Sequence, residues 1–257
     1  MRKKILIYSI LFFVFTSFDS LPIQGQSTEE IVEKMIEAQG GRKALEEIKD
    51  TTLIGFVEMV RMGLGGSLIT YQKEPNLLRT DTHVRGTTIT QAYDGQTAWM
   101  VNPITGDEEE MPEPMAKDFS RSSLGNDALL NPEKYGIVYS LEGRKTISGK
   151  DYYIISQIYP DEYQAIMFID PETYLIHKTI TQAVDGAGNE SSVETFFSDY
   201  QKVQHITLAH SIVTFQDGKE FMKMEITEVK FNTGLEDAFF QMKKNSFPCE
   251  PSFQFNQ

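Results

Sequence analysis

Residues 51–93, TTLIGFVEMVRMGLGGSLITYQKEPNLLRTDTHVRGTTITQAY, decide the fold class. Thr52 to Val60, Ser67 to Gln72, Leu77 to Val84 and Thr87 to Tyr93 are short runs rich in β-formers, divided by glycine or proline. No segment of helical period separates them, so they read as consecutive strands rather than βαβ units. The same texture resumes downstream in Ile137 to Leu141, Tyr152 to Tyr159, Gln164 to Ile169, Leu175 to Ala183, Ser192 to Asp199, His210 to Phe215 and Phe221 to Lys230, giving about 11 strands. Asp94-Gly95, Asp185-Gly186 and Asp217-Gly218 each sit between such runs and supply the positive φ that tight hairpins require, so an antiparallel meander is expected.

Helical signals flank and interrupt these strands. Ser27 precedes Glu30 by three in a capping-box pattern, with Ile31, Met35 and Ala38 at helical spacing. Gly40-Gly41 stops that helix, and Arg42 to Asp50 reads as a short second one with Leu45 and Ile48 on one side. A central helical insertion begins at Pro112 to Met115 and includes Ala116 to Phe119 and Asn126 to Tyr135, with Pro114 and Pro132 as first-turn residues. Met222, Met224 and Ile226 alternate with Lys223, Glu225 and Thr227, so one face of that strand is wet. Leu53, Ile54, Phe56, Val57 and Met59 are apolar on both faces, as is Ala165 to Ile169, so each side there needs cover. A sheet curled around helices or a ligand provides it.

At the amino terminus, Arg2, Lys3 and Lys4 precede an apolar run, Ile5 to Phe15, of 11 residues. That is too short for a membrane-spanning helix, which needs roughly 20. We read residues 1–25 as a signal peptide cut after Gly25, leaving 26–257 as one exported domain. The lone cysteine, Cys249, is remote from the cut, so a lipoprotein anchor is not expected and no intrachain disulfide can form. Without residues 1–25 the chain holds 21 basic and 36 acidic side chains, a net charge of −15. Such a surface repels phosphate backbones, so nucleic acid is not an expected partner.

Chemistry is hard to find. His83, His177, His205 and His210 do not fall into a metal-binding spacing, and His205 and His210, five apart in a β-like segment, would point to opposite faces. There is no GxSxG elbow, and Gly149-Lys150 is followed by Asp151 where a phosphate loop needs Ser or Thr. Gly63, Gly65 and Gly66 form a turn. Asp107 to Glu110 lacks calcium-loop spacing and reads as a solvated loop. No catalytic residue, metal ligand or cofactor is assigned. What remains is a supply of flexible methionines, including Met35, Met59, Met62, Met100, Met167, Met222 and Met224, suited to core filling or to an adaptable apolar surface. Phe56, Tyr71, Tyr93, Trp99, Tyr153, Phe168 and Phe196 add aromatic area that suits either core or cavity lining.

An ordered series of short signatures resembles the LolA/LolB-like lipoprotein carriers. It comprises Ala38-Gln39-Gly40-Gly41 with Ala44-Leu45 and Ile48, Gly55, Tyr71-Gln72-Lys73 before Pro75, Tyr93-Asp94-Gly95 before Trp99, Ile169 to Leu175 (IDPETYL), and Ser198-Asp199-Tyr200. The resemblance implies an α+β fold: an unclosed antiparallel β-barrel with helices forming a lid over an apolar cavity. It also implies a non-catalytic carrier of lipoproteins or lipids between envelope membranes, with acyl chains as cargo, envelope proteins as donor and acceptor, and a monomeric state. No lid or mouth residue of the family transfers to a numbered position here, so lipid-binding residues stay unassigned. The tail after Phe240, with Lys243, Lys244 and Cys249, departs from the pattern. The alternatives are a non-transporting envelope binding or scaffold module whose core is filled, and an exported hydrolase, for which no nucleophile is found.

Overall fold

The computed structural model describes residues 26–184 and 190–243. The signal-peptide reading, the Asp185-Gly186 turn, Lys244 and Cys249 lie outside them. Helix α1 (Thr28–Gln39) opens on Ser27, whose hydroxyl accepts from the Glu30 amide while the Glu30 carboxylate accepts from the Ser27 amide, as the capping-box spacing requires. It ends at Gly40, which has φ 135°, where an added Cβ would come within 2.4 Å of the His205 carbonyl. Helix α2 (Arg42–Glu46) follows at once.

Thirteen strands then build one antiparallel sheet. They are β1 (Asp50–Met59), β2 (Leu64–Lys73), β3 (Leu77–Val84), β4 (Thr87–Tyr93), β5 (Ala98–Val101), β6 (Glu108–Glu110), β7 (Val138–Ile147), β8 (Lys150–Ile158), β9 (Gln164–Ile169), β10 (Ile176–Val184), β11 (Glu190–Val203), β12 (Ile206–Gln216) and β13 (Lys219–Phe231). The order across the sheet is β6-β5-β4-β3-β2-β1-β13-β12-β11-β10-β9-β8-β7. Two meanders, β1 to β6 and β7 to β13, are thus zipped together through β1 and β13, and β6 and β7 are the free edges. Helices α3 (Glu113–Ser122) and α4 (Asn126–Leu130) and a 3-10 turn (Pro132–Tyr135) carry the chain from one edge to the other. The central insertion read from sequence is therefore the bridge across the open seam.

The extra strands beyond the expected eleven are β5 and β6. The Asp107 to Glu110 run is not simply a solvated loop, because Glu108–Glu110 pairs with Trp99 to Val101 as an edge strand. An edge paired on one side keeps its carboxylates in water, and charge there discourages further pairing. His205 is not in a strand either; it lies in the turn before β12.

Alternation along each strand defines two faces. The inner face carries α1, whose Ile31 and Met35 pack with Tyr153, Ile155, Met167 and Ile169. Its Val32 and Ile36 join Leu45, Ile48, Leu130 and Ile206, with Leu208 and Phe231 against them. One 12-residue helix therefore touches strands from β8 to β12, about 19 Å apart along a flat sheet, which requires the sheet to curl around it. Curling is local. Across the β1–β13 pair the register slips beside Thr227, which bulges and donates its hydroxyl to the Ile54 carbonyl. Opposite sits Gly55, where a Cβ would lie 2.0 Å from the Glu225 carbonyl oxygen, and at Gly66 it would lie 2.0 Å from that of His83. Glycine at these two positions lets neighbouring backbones close in where the sheet bends.

Candidate functional site

The helices do not occupy the whole inner face. Registers place Thr195, Thr214, Met222, Met59 and Leu64 in one row across β11, β12, β13, β1 and β2. Phe197, Ile212, Met224, Val57 and Gly66 form the next row. A third runs through Ile226, Gly55, Leu68, Thr82 and Ile89. None of these residues belongs to the two helix-packed clusters. Met59, Leu64, Phe197, Ile212, Met222 and Met224 are only half-buried. Together they form an apolar trough on the half of the inner face nearest the β1–β2 connection. Its polar inclusions are small: the Thr195 and Thr214 hydroxyls lie 3.3 Å apart and bond each other.

The methionines named from sequence sort into two classes. Met35 and Met167 are core fillers beneath α1, whereas Met59, Met222 and Met224 line the trough, and Met59 pairs directly with Met222. Met100 is also on the inner face, opposite Gln91. Met62 stands in solvent at the β1–β2 connection. The aromatics behave otherwise: Tyr93 and Tyr153 point inward, and Phe56, Tyr71, Trp99, Phe168 and Phe196 point outward. The expected cover fails at Phe56, which is 57% exposed, while Ala165 to Ile169 is covered on both sides. Phe168 lies under the Lys178 ammonium, 4.7 Å from its ring centre, and Lys178 pairs with Glu194 at 2.5 Å.

Trp99 is buried on the outer face by a strap, Leu235 to Phe240, which follows β13 and precedes the tail singled out from the sequence. Its indole N–H donates to the Phe240 carbonyl at 2.8 Å, and Phe240 is fully buried. Arg79 stacks on Phe239 at 4.4 Å and donates to the Phe239 carbonyl, while Lys73 reaches the Leu235 carbonyl at 2.7 Å. The signal for this strap was the apolar pair Phe239-Phe240 following an Asn-Thr-Gly turn.

A cleft of about 850 Å³ lies between α3 and the ends of β9, β10 and β11, lined by Glu113, Lys117, Asp118, Arg121, Asp161 and Gln182 among others. Arg121 dominates it, donating to both Asp118 and Asp161 with its guanidinium 3.9 Å over the Tyr163 ring. These contacts tie the seam-crossing helix to the β8–β9 connection. On the inner face, burial pushes the Tyr139 phenol well above its ordinary pKa. Tyr200, half-buried and donating to the Ile176 carbonyl at 2.6 Å, is raised in the same way. Both phenols stay protonated at any physiological pH: the Tyr139 hydroxyl accepts from the Gln157 side-chain amide at 3.2 Å, and Tyr200 is a fixed structural donor. Burial, with help from Lys178 and Lys150, lowers His177, which stacks on Tyr152 at 4.8 Å. His210 is buried with Nδ1 3.1 Å from the Leu208 carbonyl, and His83 bonds the Thr88 hydroxyl at 2.7 Å. The structure does not bring the four histidines together. Among the described residues no group of three or more His, Cys, Asp or Glu side chains is arranged to hold a metal ion.

No protein-family model matches the sequence, and no curated protein matches it significantly. Solved structures do match in shape. A LolA superfamily protein from Nitrosomonas europaea superposes with a TM-score of 0.58 at 11% identity, over 84% of this chain and 98% of that one. A DUF1329 family protein from Desulfovibrio piger gives 0.57 at 17% identity over 84% and 98%. A domain from Vibrio parahaemolyticus described as an outer membrane lipoprotein-sorting protein gives 0.55 at 16% identity over 83% and 97%. At these identities the likeness is one of fold: the chain has the unclosed-barrel fold of LolA-like proteins. Among the described residues no helix is long and apolar enough to cross a membrane.

Proposed function

We propose that this chain is an exported carrier that shelters the acyl chains of lipoproteins or lipids in the trough on its inner face, without catalysis. The observation that carries the reading is the half-exposed lining of Met59, Leu64, Phe197, Ile212, Met222 and Met224 inside a LolA-like barrel. Spanning β11 to β2, the trough is about 19 Å wide, and its three rows extend about 14 Å along the strands. That length is close to one bilayer leaflet, half of a core about 30 Å thick. Sheltering a 16-carbon chain is worth on the order of 12 kcal/mol gross. An adaptable methionine lining suits a carrier that must also let go. Residues 1–25 serve as the cleavable export signal and 26–257 as the carrier domain, working in the periplasm with envelope proteins as donor and acceptor. No cofactor enters this reading.

The test is binding of a fluorescent fatty acid or lipopeptide to delipidated protein. Saturable binding is expected, weakened at least tenfold by Met59→Asp or Met222→Asp with the melting temperature kept within a few degrees. A second reading, a non-transporting envelope binding module, is favoured by the helix-packed half of the inner face, which already fills part of the barrel. It predicts no saturable acyl binding by any lipid class.

A further inference from the structure

The residue that precedes the α1 cap is held to the sheet by chemically active groups. The Gln26 carboxamide meets two stacked phenols, Tyr153 of β8 and Tyr174 of the β9–β10 connection, whose ring centres are 6.1 Å apart. Its Oε1 accepts from both hydroxyls, that of Tyr153 and, at 3.2 Å, that of Tyr174. Its Nε2 donates to the same Tyr174 oxygen at 3.0 Å, so one phenol touches both ends of the amide. Each phenol is backed by a cation. Lys34 Nζ donates to the Tyr174 hydroxyl at 3.2 Å and stands 4.8 Å over that ring. Arg144 donates to the Tyr153 oxygen at 2.6 Å and stacks 4.4 Å over its ring.

The two phenols are firmly placed. Tyr153 is buried in the core beneath α1. Tyr174 has φ 57°, a left-handed backbone that a bulky side chain rarely adopts, in a turn closed by its own amide on the Asp170 carbonyl at 2.8 Å. The Asp170 carboxylate also accepts from the Glu172 amide at 2.9 Å. Hydrogen bonds from Gln26 and Lys34 hold the Tyr174 phenol below its ordinary pKa, which makes it a readier acid. Capping does not account for the cluster, because Ser27 and Glu30 already complete the start of α1 between themselves.

We propose that Gln26 is a self-modification site: once the export signal is cut after Gly25, its α-amine closes on its own carboxamide to form pyroglutamate, with Tyr153 and Tyr174 as the catalytic groups. Amine and Cδ belong to one residue, so closing the five-membered ring needs no second substrate. As the α-nitrogen bonds Cδ, negative charge develops on Oε1, where both phenol O–H groups already donate. The Cδ–Nε2 bond then breaks. Nε2 takes a proton from Tyr174 and leaves as ammonia, the α-nitrogen gives a proton to water, and Tyr174 is reprotonated by Lys34, which recovers its own proton from water. Glutamine becomes a lactam plus ammonia, and nothing else is consumed. The product suits its position. A free α-ammonium ahead of Ser27 would stand at the positive end of the α1 dipole, on the side that also carries Lys34 and Arg144, whereas the lactam has no charge. The proposal rests on the export reading, with its cut after Gly25, and not on acyl binding.

A chain beginning at Gln26 is to be released from a fusion by a site-specific protease. Its intact mass is followed at one pH in native buffer and in guanidinium chloride, alongside Tyr174→Phe and Tyr153→Phe/Tyr174→Phe. The expected result is loss of one ammonia per chain, at least tenfold faster folded than unfolded. Tyr174→Phe should slow folded closure at least tenfold and the double variant further, with melting temperatures kept within a few degrees. A carboxamide that was only anchored would be shielded, so closure no faster in the folded chain than in the unfolded one would overturn the proposal, and that comparison needs no variant. An unchanged rate in folded Tyr174→Phe would overturn it too. The amino-terminal peptide of protein exported from cells that make the full chain is then weighed, and a Gln26 start in lactam form is expected. A start at any other residue would remove the cut and the proposal together. A Gln26 start that stays linear, with slow closure in the released chain, would leave the export reading standing and remove the cyclisation alone.

Discussion

Asp50 sits buried at the start of β1 and is held by the segment that follows β13. Its carboxylate accepts from the Thr233 amide and hydroxyl, both at 2.7 Å, from the Gly234 amide at 2.8 Å and from the Leu235 amide at 3.3 Å. Burial on its own pushes the Asp50 pKa up, but these donors outweigh it and hold the group below the usual carboxylate range. A depressed folded pKa means that the stabilisation is present above the unfolded value of about 3.9 and is lost as pH falls through the folded one. Asp50→Asn, whose amide would face amides, is expected to cost about 1–3 kcal/mol at pH 7. Urea titrations at pH 7 and pH 3 check this: the gap between wild type and variant should narrow in acid. Gly55 makes a different demand, on space rather than charge. Gly55→Ala drives a methyl into the Glu225 carbonyl, and we expect a loss of about 1–3 kcal/mol with an unchanged urea m-value. A substitution that leaves the urea midpoint in place would show that the bend does not need glycine there.

Elements differ in how openly the chain declares them. Helix α1 is legible because its signals are local: the Ser27–Glu30 box at one end and Gly40-Gly41 at the other. Ser27→Ala is expected to cost about 1 kcal/mol, read from thermal melts. β3, β4 and β9 start and stop where glycine, proline and alternation say they should. β6 is hidden, because three glutamates advertise solvent and only pairing with Trp99 to Val101 makes them a strand. The trough was illegible for a different reason: alternation gives β13 an apolar face in Met222, Met224 and Ile226, but which strands it is zipped to depends on long-range pairing with β1 and β12. Composition left the aromatics open between core and cavity lining; five of the seven face outward, and Trp99 needed the distant Phe239-Phe240 strap to explain its burial. Truncating that strap's anchor, Phe240→Ala, is expected to cost about 3–5 kcal/mol and to raise amide exchange in β4 and β5 before β12 and β13.

Taken as a whole, the molecule is a sheet that never closes, and an open barrel has to manage both free edges. β6 is short and acidic. β7 is bulged at Gly143, and its Leu141 amide is taken by the Thr28 hydroxyl, so neither edge offers a long clean ladder. The gap between them is spanned by α3, and α3 is fastened across it chiefly through Arg121, which is 15% exposed and is gripped by Asp118 on its own helix and by Asp161 and Tyr163 on the far side. Partial burial makes this pair stronger than a surface one, and removing the cation leaves Asp161 and Asp118 with only the exposed Lys117 as a nearby counter-charge. The inner strands, by contrast, are paired on both sides and do not depend on the seam. Arg121→Met keeps the apolar stem and deletes the charge, so its effect should be confined: amide exchange in residues 113–122 and 159–163 rises at least tenfold, while β12, β13 and β1 keep their protection. Exchange that rises uniformly across the chain would mean that the seam and the sheet melt as one unit, and that the bridge is part of the core rather than a fastening laid over it.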